Sequence, residues 1–214
     1  DLAFKLLQGD WQLSLGIEKL DPWVRAMVLQ EVSLREGQTR TRLSLSYEVE
    51  NAAVKALQLR LPGLSEEEAR TVRASGAVVN EIVQLKDDLW ELRLRRGMIG
   101  QVAFEIEYQR SAEARNARET VVPALLENVR QVQHYVAVRS SGRLDIRAKD
   151  VLGWRAADWN GVPKALKKQA QSSVPALCYS VSEPEGSLAV QVQRHEVANT
   201  LRLRVLNSKL TNVV

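Results

Sequence analysis

Arg42-Leu43-Ser44-Leu45-Ser46-Tyr47-Glu48-Val49-Glu50 decides the fold class. Leu43, Leu45, Tyr47 and Val49 alternate with Arg42, Ser44, Ser46, Glu48 and Glu50. Successive side chains of a strand point to opposite faces, so this stretch reads as a strand with one dry face and one wet face. The same period runs outward in both directions. Upstream, the run from Val24 to Arg35 sets Val28, Val32 and Leu34 against Glu31, Ser33 and Arg35. Glu36-Gly37-Gln38 joins the two runs, and Gly adopts positive φ at little cost, which predicts a tight hairpin. Downstream, Leu57, Leu59 and Leu61 alternate with Gln58 and Arg60 and stop at Pro62-Gly63.

A second hairpin follows. The run from Val79 to Leu85 leads into Lys86-Asp87-Asp88, and Leu89 to Arg95 returns with Trp90, Leu92 and Leu94 on one face. Arg96-Gly97 reads as its close. Val102, Phe104, Ile106 and Tyr108 then face inward, opposite Gln101, Glu105, Glu107 and Gln109. Repeated short strands between turn signals predict an antiparallel sandwich or barrel. Ser65 with Glu68 three residues on is a capping box that would start one helical turn.

From Ser111 to about Gln133 the alternation lapses, and the shift in composition marks a boundary. Pro123 before Ala124-Leu125-Leu126-Glu127 suggests a turn or two of helix. Alternation resumes at Tyr135-Val136-Ala137-Val138, turns at Ser140-Ser141-Gly142, and continues through Leu144, Ile146 and Ala148. Pro163 to Ala170 is the strongest helix candidate, with Pro at the first position and good helix formers after it. Leu177, Tyr179 and Val181, then Leu188, Val190 and Val192, then Leu201, Leu203 and Val205 read as further strands. The expectation is a mostly β chain of two antiparallel β-sandwich-like domains, with one short helix in the second. Residues 1–111 form the first domain, 112–133 a linker or irregular segment, and 134–214 the second.

The chain has 214 residues with 30 Lys and Arg against 26 Asp and Glu. The basic excess is local: residues 1–110 hold 15 basic and 17 acidic groups, and residues 111–214 hold 15 and 9. Many Arg alternate with Leu, Val or Ile, which places them on the wet faces of strands. That reading leaves no nucleic-acid partner to expect. One cysteine, Cys178, rules out an intramolecular disulfide, and with only two His there is no finger-like or ribbon-like zinc site. No run reaches the ~18 apolar residues of a membrane-spanning helix. The start at Asp1 and the close at Leu210-Thr211-Asn212-Val213-Val214 suggest a piece of a longer protein.

No nucleophile elbow, zinc-protease motif, phosphate loop or C-x-x-C pair is present, so neither catalytic, cofactor-binding nor metal-binding residues are expected. His195 lies just past a strand and reads as a surface histidine, as does His134. Cys178, between Leu177 and Tyr179, reads as a small buried hydrophobe. Glu66-Glu67-Glu68 reads as a solvated turn. Trp11, Trp23 and Trp90 fall in or beside strands, where packing is the default. Trp154 and Trp159 differ. With Arg155 they lie in a Gly-bounded, weakly periodic segment, Gly153 to Gly161. They are the candidate contacts for a ligand or partner, since exposed aromatics on a β scaffold stack on sugars or anchor proteins.

Tyr47-Glu48-Val49-Glu50-Asn51, Leu57-Gln58-Leu59-Arg60-Leu61-Pro62, Val72-Arg73-Ala74-Ser75-Gly76, Phe104-Glu105-Ile106-Glu107-Tyr108 and Tyr135 to Gly142 share a cadence. It resembles that of tandem β-sandwich segments in large exported or envelope-associated bacterial proteins, over most of residues 40–150. The resemblance implies a multidomain parent and an extracytoplasmic location (periplasm, envelope or cell surface). It carries no catalytic residues. The expected function is a non-catalytic structural or protein-interaction module of a larger exported bacterial protein. Its partners would be other domains of the parent or envelope proteins. The alternative is a carbohydrate-binding module that uses Trp154 and Trp159 on a glycan.

Overall fold

A computed structural model describes residue 16 and residues 20–111, 118–167 and 174–195. Trp11, the last four residues of the expected helix at 163–170 save Lys167, and the expected strand around Leu201–Val205 fall wholly or partly outside them. The chain is mostly β, as the alternation predicts. The strands are β1 (Trp23–Arg35), β2 (Gln38–Arg60), β3 (Arg73–Ser75), β4 (Val79–Lys86), β5 (Leu89–Ser111), β6 (Arg118–Val121), β7 (Leu125–Leu126), β8 (Gln131–Ser140), β9 (Leu144–Leu152), β10 (Trp154–Ala156), β11 (Leu177–Val181) and β12 (Ser187–Arg194). Among the described residues no helix is long and apolar enough to cross a membrane.

Two sheets result. The large one is mixed, in the order β10-β11-β8-β1-β2-β5-β3, with β4 also on β5 and β7 on β2. The small one is β6-β12-β9. β1 lies antiparallel to β2 but parallel to β8. The large sheet therefore joins strands from both sides of residues 112–133, and that segment itself contributes β6 and β7.

The hairpins form where the turn chemistry places them. Gly37 at φ 76° makes a two-residue link between β1 and β2, and Asp87 at φ 43° turns β4 into β5. Arg96-Gly97 does not close a strand. β2 and β5 each run 23 residues and pair throughout, broken by bulges between Val49 and Ala56. Asn51 (φ 69°) and Gly100 (φ 82°) take the positive φ that the irregularity needs. What reads in sequence as the end of one strand and the start of another is a bend within one.

The helix expectations are corrected in part. Ser65 does cap a single turn, α1 (Glu66–Ala69): its hydroxyl accepts from the Glu68 amide at 3.3 Å, and the Glu68 carboxylate accepts from the Ser65 amide at 2.9 Å. Leu125-Leu126 pairs with Leu59 and Arg60 as a strand instead of forming a helix. After Pro163 the described residues make three-residue turns, with Leu166 donating to Pro163 and Lys167 to Lys164 at 3.1 Å each. Val162 and Leu166 are there pressed onto Leu29 and Ala137 of the large sheet.

The core has two main clusters. Val24, Ala26 and Val28 of β1 join Leu43, Leu45, Tyr47, Phe104 and Ile106 in the first. Val32 and Leu34 join Val136, Val138, Trp154, Leu188 and Val190, from both sheets, in the second. Gln30 stands between them. Its amide nitrogen donates to the Val122 carbonyl at 2.9 Å and its oxygen accepts from the Ala124 amide at 3.0 Å. The chain crossing from one cluster to the other is thus tied to the central strand.

Candidate functional site

The segment Val151–Trp159 is built at the corner between the two sheets. Along β9, Ile146 faces Val192 and Ala148 faces Val190, both turned to the second cluster. A bulge at Lys149 then shifts the register, so that Val151 stands opposite Leu188 and Leu152 opposite Ser187. An extra residue of this kind re-aims the side chains beyond it. Val151 is left 41% exposed and Leu152 65% exposed. Among the described residues β9 pairs with β12 alone, so this pair lies on an edge strand.

Gly153 turns the chain at φ 67°. Its carbonyl accepts from the amides of Ser182 and Glu183 at 3.0 and 2.9 Å, which clasps the β11–β12 turn to the corner. Trp154 then points inward. It is 7% exposed, packs in the second cluster, and meets Tyr179 at 6.3 Å between ring centroids. Arg155, opposite Ser180 in β11, is exposed.

Trp159 opens a three-residue 3-10 turn capped by Asp158, whose carboxylate accepts from the Asn160 amide at 2.9 Å. It is half-buried against a third cluster formed by Leu29, Ala137, Val162 and Leu166. The Arg139 guanidinium and the Lys167 ammonium each lie 5.1 Å from its ring centroid, and Lys167 also donates to its carbonyl at 2.9 Å. Arg139 is itself buried and paired with Glu31 at 3.1 Å. The three candidate residues are therefore not one aromatic surface. Trp154 belongs to the core, Trp159 to a different cluster where cations attend it, and Arg155 to the solvent. Exposed near the corner are Val151 and Leu152, which as neighbours in a strand point to opposite faces, and Arg155.

No family model matches the chain, and no curated protein does. Among solved structures, an M1 zinc metallopeptidase from Deinococcus radiodurans is 10% identical, with a TM-score of 0.43 over 79% of this chain and 42% of that one. A mutant of that enzyme bound to a Tyr-Ser-Ala substrate is 11% identical, with a TM-score of 0.41 over the same shares. The chain thus spans less than half the length of these structures. At these values the likeness says nothing of activity.

Other polar side chains fall where packing explains them. His195 is exposed, as its position past a strand suggests. His134 is not a surface residue. It is 6% exposed on β8, its Nε2 is buried without a partner, and burial pushes its pKa down to about 3. The signal was present in the sequence: His134, Val136 and Val138 share one face at period two. The Cys178 thiol is half-buried against the third cluster, and burial first, then Asp158, pushes its pKa up. Many Arg answer acids across strands, as in Arg42 with Glu107 at 2.6 Å and Arg25 with Glu48 at 2.8 Å. Val151 and Leu152 escaped the sequence reading because nothing in the residue types betrays a bulge at Lys149.

Proposed function

We propose that this chain is a non-catalytic protein-interaction module of a larger exported bacterial protein, and that it meets its partner through Val151, Leu152 and Arg155. The observation that carries the reading is the exposure of Val151 and Leu152 on β9, an edge strand among the described residues, close to buried Trp154. Exposed apolar groups and Arg are among the residues protein contact surfaces use. An edge strand adds unpaired backbone groups that another chain can engage. The exported location rests on the resemblance of residues 40–150 to envelope-associated segments. The glycan reading has less support, because Trp154 is enclosed and the Trp159 ring already has two cations beside it.

The test is a photo-crosslinking amino acid placed at position 152 in the full-length parent within its host. One dominant adduct at 152, absent when the probe sits at exposed Arg147, supports the reading. Equal adducts at both positions, or none at 152, reject it. Turnover of a hydrolase or transferase substrate by the purified chain, lost on substitution of a surface polar residue, would reject the non-catalytic half.

A further inference from the structure

Among the described residues, one stretch of chain is outermost in both sheets. β9 ends the small sheet beside β12, and after Gly153 β10 ends the large sheet beside β11. Directly opposed residues of a ladder share a face. Val151 is therefore on the side of Leu188, which is buried in the second cluster, yet Val151 is 41% exposed. Leu152 is on the other side with Ser187 and is 65% exposed. One apolar side chain is thus open on each side of the same edge.

A partner pressed on one face of the sheet would cover one of the two and miss the other. An extended segment laid along the edge alternates as β9 does, so it covers both while its backbone meets the edge. Two features bound its length. The bulge at Lys149 breaks the ladder upstream, and bulges and Lys are what natural edge strands use against pairing. Downstream, Gly153 turns the chain at φ 67°. Residues 150–152 lie between these stops. Charge adds one requirement. Asp150 is already answered by Arg118 at 3.0 Å. Lys149 and Arg155 flank the stretch, are exposed, and enter no ion pair among the described residues. Acidic groups complement them.

We propose that the partner binds by strand addition: an extended segment of it pairs with residues 150–152 as a fourth strand of the small sheet, with apolar side chains on both of its faces and an acidic residue at its flank. The inference rests on the protein-interaction reading of this corner and names the form of the partner. The bulge and the Gly153 turn fix where the segment starts and stops. Val151 and Leu152 each meet one side of it.

The experiment places a photo-crosslinking amino acid at 151 and, separately, at 152 in the full-length parent within its host, and maps each adduct by mass spectrometry. Both probes should capture one segment of one partner, at residues no more than about two apart, because neighbouring residues of an added strand point to opposite faces. The mapped segment is then made as a peptide and titrated onto the wild-type chain. N-methylation of alternate residues should weaken it about tenfold while the residues between tolerate the change, because only every second amide of an added strand faces the edge. Replacing its acidic residue by the amide should weaken it about threefold. Adducts at 152 with none at 151, or adducts that map to different segments, overturn strand addition and leave the wider reading of the corner standing. No adduct at 152 overturns both. If the 151 variant does not fold, the N-methyl series decides. Methyl groups tolerated at every position, or harmful at every position, overturn the proposal, and so does a segment without an acidic residue or indifferent to its loss.

Discussion

Gly186 lies directly against the indole of Trp154: a Cβ built on Gly186 would stand 2.6 Å from the ring and 2.5 Å from the Leu152 carbonyl oxygen. The β11–β12 turn can therefore close on the corner only if residue 186 has no side chain. Gly186→Ala should push the turn off Trp154 and cost about 1–3 kcal/mol, the usual range for overpacking. The urea midpoint measures it. Near-ultraviolet circular dichroism should change as well, because Trp154 sits on Tyr179.

Gln30 divides the two clusters by holding Val122 and Ala124. Gln30→Leu would leave the buried Ala124 amide and the part-buried Val122 carbonyl without this partner, at about 1–3 kcal/mol for the amide. Gln58→Leu is the control, since Gln58 makes only a part-buried 3.3 Å contact with Glu91. The first substitution should lower the unfolding midpoint well beyond the second.

Acid should unfold the protein partly through His134. Its folded pKa of about 3 lies below the ordinary value of 6.5, so the unfolded chain takes up this proton first. The neutral residue's full contribution is present above pH 6.5 and is lost as pH falls from there toward 3. The slope is at most about 1.4 kcal/mol per pH unit. His134→Leu should flatten the stability curve in that window by this amount. Unchanged slopes would show that His134 protonates equally in both states.

Glu31 and Arg139 form an ion pair whose side chains are 5% and 6% exposed. Arg139→Met strands a buried carboxylate and should cost about 3–5 kcal/mol. Adding Glu31→Met should restore much of that loss, because it removes the uncompensated charge. A double-mutant cycle on thermal or denaturant midpoints reads the difference.

Strand positions were legible wherever one face is wet. Leu43 to Val49 and Val102 to Tyr108 alternate because one side meets the core and the other meets water. The alternation carries no record of which strand sits beside which. The parallel pairing of β1 with β8 joins residues more than a hundred positions apart, and no local pattern announces it. After Pro163 the described residues make three-residue turns and Leu166 packs with Leu29, while the last three residues of the expected helix lie outside the described ones. Their Gly-bounded segment sets Trp154 and Trp159 apart as candidate contacts, but Trp154 packs in the core and Trp159 against the third cluster. Their burial follows from Tyr179, Gly186 and Leu29, contacts that arise only in three dimensions.

The corner's role in recognition is open to one direct measurement: the dissociation constant of the crosslinked partner for the wild-type chain, for Leu152→Glu and for Arg147→Glu. A central apolar contact is worth at least about 1.4 kcal/mol, or tenfold in affinity. Leu152→Glu should weaken binding tenfold or more while Arg147→Glu leaves it within twofold. Equal affinity of the wild type and Leu152→Glu would contradict the assignment of this surface.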